Sequence, residues 1–330
     1  MTDTDTPAAA SRPARLKVIA FFARYGTIAA LLLMIIAFSI KSPDSFLTLQ
    51  NFLNILNQSS LTAIIAGGLT ITLVVGEFDL SVGYVSRLAV VLVAGLMSFQ
   101  HLPVIVAAAL VLLLGGLIGG TNGVLVTKAR INAVVATLGM GTILVGVSYT
   151  YTNGQPIQAG LPASFLSFAT GKFAGIPNLV IISAIVLVIL WITMNWTDLG
   201  QRLQAVGGNK EAARLSGIAV DRVRIFAFVT SGLCAAPTGV LLSSLIGSGT
   251  PAAGDGYLLS AFAAVFLGSA TLRDGEFHIV GTAVGVVILN TGINGLSIIG
   301  VATSFQNIFT GGVLIVAVGL STLARRYTKG

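Results

Sequence analysis

The chain has 330 residues, of which 55% are hydrophobic and only 9% charged, and its mean hydropathy is +0.95. Soluble domains carry roughly a quarter charged residues, so a water-soluble globular fold is excluded. The net charge of +7 does not point to nucleic acid, because the cations fall in loops at the ends of apolar runs, and the single cysteine, Cys234, rules out an internal disulfide.

Residues 1–24 form a polar, Arg-containing head. We expect it to be a tail followed by an uncleaved first helix over 25–41, because Ala37 and Ser39 make a poor signal-peptide cleavage pattern. In 42–58, Phe46, Leu49, Phe52, Leu53 and Leu56 recur at helical spacing, which predicts a helix lying in the membrane interface. Apolar runs predict spans over 59–76, 80–99, 103–126, 133–151, 179–195, 224–246, 257–271, 279–298 and 303–323. These runs lack the strict alternation of a membrane β-barrel, and in lipid the backbone must satisfy its own hydrogen bonds. The expected fold class is therefore all-α: a polytopic integral membrane bundle of about ten helices over 25–324, with a short tail at 325–330.

Ten spans place both termini on one side. Fifteen of the 18 Lys and Arg residues then fall on that side, including Arg12, Lys128, Arg130, Arg273 and Lys329, and only Lys41 and Lys172 on the other. The positive-inside rule makes the first side cytoplasmic. Residues 152–178, rich in Gly, Pro and Asn, form an outer loop. A surface there could receive a soluble protein, or the loop could be a plain connector.

Between the second and third spans, GEFDLSVG (Gly76 to Gly83) interrupts the apolar pattern. Gly76 and Gly83 allow a tight reversal, and Asp79 is expected to cap a helix beginning near Leu80. A near-echo, GEFHIVG, stands at 275–281 and hints at related halves. Arg87 lies within the third span, where an arginine costs about 2.5–3.5 kcal/mol on insertion scales. It should face a polar path or a carboxylate, Glu77 and Asp79 being the nearest in sequence, or else snorkel toward an interface.

Residues 200–224 are a polar island holding seven of the 29 charged side chains within a cytoplasmic loop over 196–224. Asn209 is suited to N-cap a short helix and Gly217 to stop it. Such a helix suits either a solvated loop or a knob for a soluble partner. Asn122, Thr137, Asn290, Asn294 and Gln306 are polar residues inside spans. They could line a path for a polar solute or hydrogen-bond helix to helix, alongside the small residues Gly115, Gly116, Gly119 and Gly120.

Several segments together resemble one family. Gly76 to Gly83, including Glu77, Asp79, Leu80 and Ser81, resembles the GGxDLSVG signature of ribose/xylose/arabinose-type monosaccharide ABC importer permeases. AVGGNKEAARLSGI (205–218), ATLGM (136–140), YTNGQP (151–156), PAAGDGY (251–257) and AAVFLG (263–268) are similar to other segments of that family, in order along nearly the whole chain.

The resemblance implies a bacterial inner-membrane permease that pairs with a second permease copy, a cytoplasmic ABC ATPase and a periplasmic sugar-binding protein. ATP and Mg would be bound by the partner subunits, and this chain would hold no cofactor, no metal and no catalytic residue. It also implies that the loop carrying Gly207, Gly208, Asn209, Glu211, Ala212, Ala213, Arg214, Leu215 and Gly217 is the coupling helix, with Ala212, Ala213 and Leu215 packing and Glu211 and Arg214 orienting. No G-x-x-x-x-G-K-[ST] phosphate loop occurs in the chain.

Glu77 and Phe78, Arg87 and the stretch SATLRDG (269–275) depart from the family pattern. Other expectations compete with a sugar: a nucleoside, a furanose-like signal or a branched-chain amino acid as cargo. An ion-coupled secondary transporter would need carboxylates at mid-span, and the predicted spans carry none in their cores. An integral-membrane enzyme would need a nucleophile–base set or a metal cluster, and neither pattern occurs.

Overall fold

The structure, a computed structural model, describes residues 14–272 and 275–328. Arg12, Arg273 and Lys329 of the charge pattern lie outside the described residues. The fold is all-α and polytopic. In chain order it runs α1 (Ala14–Lys41), α2 (Pro43–Phe46), α3 (Leu49–Val74), α4 (Val82–Ser98), α5 (Val104–Thr127), α6 (Ala133–Thr152) and α7 (Ala163–Thr170). A two-stranded hairpin follows, β1 (Lys172–Phe173) and β2 (Ile176–Pro177). Then come α8 (Asn178–Trp196), α9 (Asp198–Gly208), α10 (Lys210–Leu215), α11 (Val220–Ile246), α12 (Tyr257–Leu272), α13 (Ile279–Ile298) and α14 (Thr303–Thr328). Among the described residues six helices (α5, α6, α8, α11, α13 and α14) are long and apolar enough to cross a membrane. Shorter apolar helices occupy Ile28–Lys41, Val82–Ser98 and Tyr257–Thr271.

Three expectations change. The first helix begins at Ala14 rather than near 25, so residues 14–24 of the expected tail are helical. Of the expected interface helix over 42–58, residues 43–46 form the separate α2 and residues 49–58 are continuous with the second span. Thr48 Oγ1 accepts from the Asn51 amide at 3.1 Å and starts a helix that runs without a break to Val74. At about 1.5 Å per residue it is roughly 39 Å long and overreaches a hydrocarbon layer of about 30 Å. The loop at 152–178 contains α7 and the hairpin. Ser244 of α11 ties α7 down, accepting from the Ala169 amide at 3.1 Å and donating to the Phe165 carbonyl.

The interior is built from α3, α4, α11, α12 and α13. From Ser59 to Leu73 every residue of α3 is buried. The peripheral helices α5, α6, α8 and α14 leave apolar faces uncovered, as at Leu113, Ile143, Ile189 and Ile315. Such faces suit lipid.

Small residues let helices approach backbone to backbone where hydrophobicity alone gives no drive. A Cβ on Gly115 would lie 2.7 Å from the Gly232 carbonyl oxygen, and one on Gly119 would run into Phe228 O, so α5 and α11 cross in direct contact. Gly268 and Gly281 do the same for α12 and α13.

The segment between α11 and α12 does not stay at the surface. A Cβ on Gly249 would meet Ala94 of α4 at 2.6 Å, Gly254 faces Ser86, and Leu258 abuts Gly83. Since Gly83 and Ala94 are about 16 Å apart along α4 at 1.5 Å per residue, the chain descends deep into the bundle before α12 begins. The start of α12 therefore meets the start of α4, and Phe78 stacks on Phe262 with ring centroids 6.2 Å apart.

Candidate functional site

The polar island folds locally as its caps dictate. Thr197 Oγ1 accepts from the Gly200 amide at 3.2 Å to start α9. Asn209 ends α9 and starts α10, its Oδ1 accepting from the amides of Glu211 and Ala212 at 3.0 Å each. Gly217, with φ +82°, closes the far end in the left-handed region. One face of this unit packs on its own chain through Leu203, Val206 and Ala213. Ala213 is thus a correction: expected as a packing residue for a partner, it is buried within the fold. On the other face Leu215 is 90% exposed, beside a Glu211–Arg214 pair at 3.0 Å. Gly208 has open space around it. Gly207 presses on the end of α3, where a Cβ would run into Val74 O.

That unit is tied to the segment between α3 and α4. Gly76 turns the chain with φ +77°. Glu77, buried, then receives Lys210 Nζ at 2.6 Å and Arg224 at 2.7 Å on Oε1. A buried carboxylate needs such partners, because an isolated charge away from water is strongly disfavoured. The sequence echo at 275–281 repeats the backbone, Gly275 having φ +90°, but Glu276 is exposed and His278 caps α13 instead.

Asp79 also departs from expectation. The helix starts at Val82 with Ser81 as its cap residue, and Asp79 Oδ1 accepts from the amide and the hydroxyl of Ser81 at 3.0 and 2.6 Å. Burial pushes its carboxyl up from the ordinary aspartate range, against those hydrogen bonds. Asn122 donates to Ser81 Oγ at 2.9 Å, and Thr137 Oγ1 accepts from the Leu80 amide at 3.1 Å. Those two residues, read as candidates for a solute path, brace the signature segment.

Around it opens a cavity of about 560 Å³ whose lining includes Glu77, Arg130, Arg214, Asp221 and Arg224. Lys128 bridges to Asp221 at 2.7 Å on the same end. The cation-rich loops and the signature segment therefore share one end of the bundle.

Arg87 finds a carboxylate, though neither of the two nearest in sequence. Its Nη1 donates to Asp255 Oδ1 at 2.7 Å, and its guanidinium lies 5.2 Å from the Tyr149 ring centroid. Asp255 belongs to the descending segment, so the pair links α4 to the turn that precedes α12.

Next to that turn a second cavity, of about 370 Å³, collects Asn57, Gln58 and Thr62 of α3, Tyr257 and Ser260 of α12, and Asn290 of α13. Of the remaining path candidates, Asn294 is buried and Gln306 caps the α13–α14 turn by donating to the Val301 carbonyl at 3.2 Å. Asn57, Gln58, Thr62 and Ser260 escaped the sequence reading. The polar run NQSSLT was the visible signal, but it was split between an expected surface helix and the next span.

Comparisons with known proteins bear on the whole chain. The model of the family described as branched-chain amino acid transport system / permease component matches residues 51–318. A ribose import permease protein of Haemophilus influenzae is 38% identical over 88% of this chain and 90% of its own length. One of Bacillus subtilis is 39% identical over 89% and 91%. A D-allose transport system permease protein of Escherichia coli is 34% identical over 92% and 93%. No solved structure matches the chain.

Proposed function

The chain belongs to the family of branched-chain amino acid transport system / permease components, and from that premise we propose that it is the multi-pass inner-membrane permease subunit of a bacterial ATP-driven monosaccharide importer. The observation that carries this is the match to sugar permeases along about nine-tenths of each chain. The family description names branched-chain amino acids, which keeps that cargo as the second reading.

In this reading ten helices cross the membrane, the six long apolar ones together with α1, α3, α4 and α12. Both termini and the cation-rich loops are cytoplasmic, by the positive-inside rule. A second copy of the chain completes the permease, ATP and Mg are bound by cytoplasmic ABC ATPases, and a periplasmic binding protein delivers the sugar to the opposite end. The chain itself catalyses nothing.

The α9–α10 unit is the coupling element. Leu215, exposed with Ala212 beside the Glu211–Arg214 pair, seats in a groove of the ATPase in the manner of a helix anchor. Glu211 and Arg214 orient it. Motion of α10 reaches the membrane through Lys210 and Glu77, and then through Ser81 and α4.

Co-expression with a cognate ATPase and binding protein tests this. Leu215→Asp should abolish sugar uptake and detach the ATPase on purification, and wild-type uptake in that variant would defeat the coupling role. A thiol reagent should label Lys172→Cys in intact cells and Lys210→Cys only after permeabilisation; the opposite pattern would overturn the orientation.

A further inference from the structure

The cavity of about 370 Å³ beside the descending segment falls within the roughly 300–1,000 Å³ of small-molecule sites. Its polar lining comes from Asn57, Gln58, Thr62, Tyr257, Ser260 and Asn290, all amides and hydroxyls. Among the described residues none of the lining side chains carries a charge. The nearest carboxylate in sequence, Asp255, is held by Arg87 at 2.7 Å, and that pair adds no net charge.

Asn57 Oδ1 is buried, and among the described residues nothing donates to it. An unpaired buried acceptor is costly, so a ligand hydroxyl that reaches it is favoured. Asn290 already gives its Nδ2 to the Val286 carbonyl at 2.9 Å, so the group it has left to offer is its Oδ1 as an acceptor.

We propose that this cavity is a binding site in the permease itself for a neutral polyhydroxylated ligand, with Asn57, Ser260 and Asn290 contacting its hydroxyls. It rests on the proposed sugar-import function and adds a discrimination which that function does not contain. A zwitterionic amino acid brings an ammonium and a carboxylate, and neither finds a counter-charge on these walls. A free sugar brings hydroxyls, which both donate to and accept from amides and hydroxyls.

Thiol labelling of Ser260→Cys in the full complex, with the reagent added to the periplasmic side, reads the site directly. Cys234, the only native cysteine, is buried and serves as the unlabelled control. Ribose or allose supplied with the binding protein should slow labelling several-fold, and leucine should not. In uptake assays Asn57→Leu and Asn290→Leu should each raise KM or lower kcat by about tenfold, the size expected for one lost hydrogen bond.

Labelling that no sugar slows, labelling that leucine slows, or absence of labelling from the periplasmic side each overturns the site. Failure of the unmutated complex to import any sugar defeats the import function instead, so uptake by the wild type and protection of the thiol judge the two readings separately.

Discussion

The two ends of the bundle hold cavities of opposite character. The one at the cation-rich end, about 560 Å³, is walled by carboxylates and arginines. The one beside the descending segment, about 370 Å³, is walled by amides, hydroxyls and apolar side chains. Each lies next to an irregular stretch that enters the bundle and starts a helix, and the two starts meet where Gly83 abuts Leu258.

The ion pairs differ in the same sense. Glu77 is held by two cations, with side-chain exposures of 8% for Glu77 and 16% for Arg224. Asp255 is 62% exposed and holds a single arginine. One end is built as a buried clamp and the other as a half-exposed ion pair near an uncharged chamber. In the proposed function the charged end takes force from the ATPase and the uncharged end handles the solute.

The sharpest way to break this contrast is Glu77→Ala. It leaves Arg224, 16% exposed, without the carboxylate that offsets its burial, and removing one partner of such a pair costs about 3 kcal/mol, the low end of the range because Lys210 is 40% exposed. Thermal unfolding of the purified complex should fall accordingly, and uptake should be lost even where the ATPase stays bound. A Tm equal to wild type would refute the clamp.

Gly207→Ala comes next. Its new methyl would collide with the Val74 carbonyl oxygen, so α9 must shift from the end of α3 at a cost of about 1–3 kcal/mol. Coupled ATPase activity measures the shift.

At the other end the two partners should not be equivalent. Asp255→Leu leaves a guanidinium whose side chain is 9% exposed without its carboxylate, whereas Arg87→Leu leaves only an exposed carboxylate. The first should destabilise more than the second, and both should change uptake kinetics. Equal stability losses would remove that asymmetry. Smallest of all, Lys128→Ala breaks a pair with exposures of 62% and 34%, worth about 0–1 kcal/mol, and should leave uptake and Tm near wild type.

Much of the site was visible in particular residues, for local reasons. The caps at Asn209 and Gly217 follow from preferences that act within four residues, and the apolar runs follow from transfer of side chains into lipid. The errors also had local causes. The helix of α3 ran on through Leu49, Phe52 and Leu56 because nothing in that stretch breaks a helix. Asp79 turned its carboxyl to Ser81 because the chain there is still reversing when it passes the expected cap position.

From the chain of letters alone follow the all-helical class, the order of apolar segments, the capped knob at 209–217 and the family signature. Each depends on the identity of near neighbours or on summed hydrophobicity. Tertiary structure alone decided that Glu77 meets Lys210 and Arg224, 133 and 147 positions away, and that Arg87 reaches Asp255 across 168. It also decided that residues 57 to 290 share one uncharged chamber. A buried charge or amide takes whatever partner packing brings within about 3 Å, and packing of helices far apart in the chain leaves no periodic mark on the sequence.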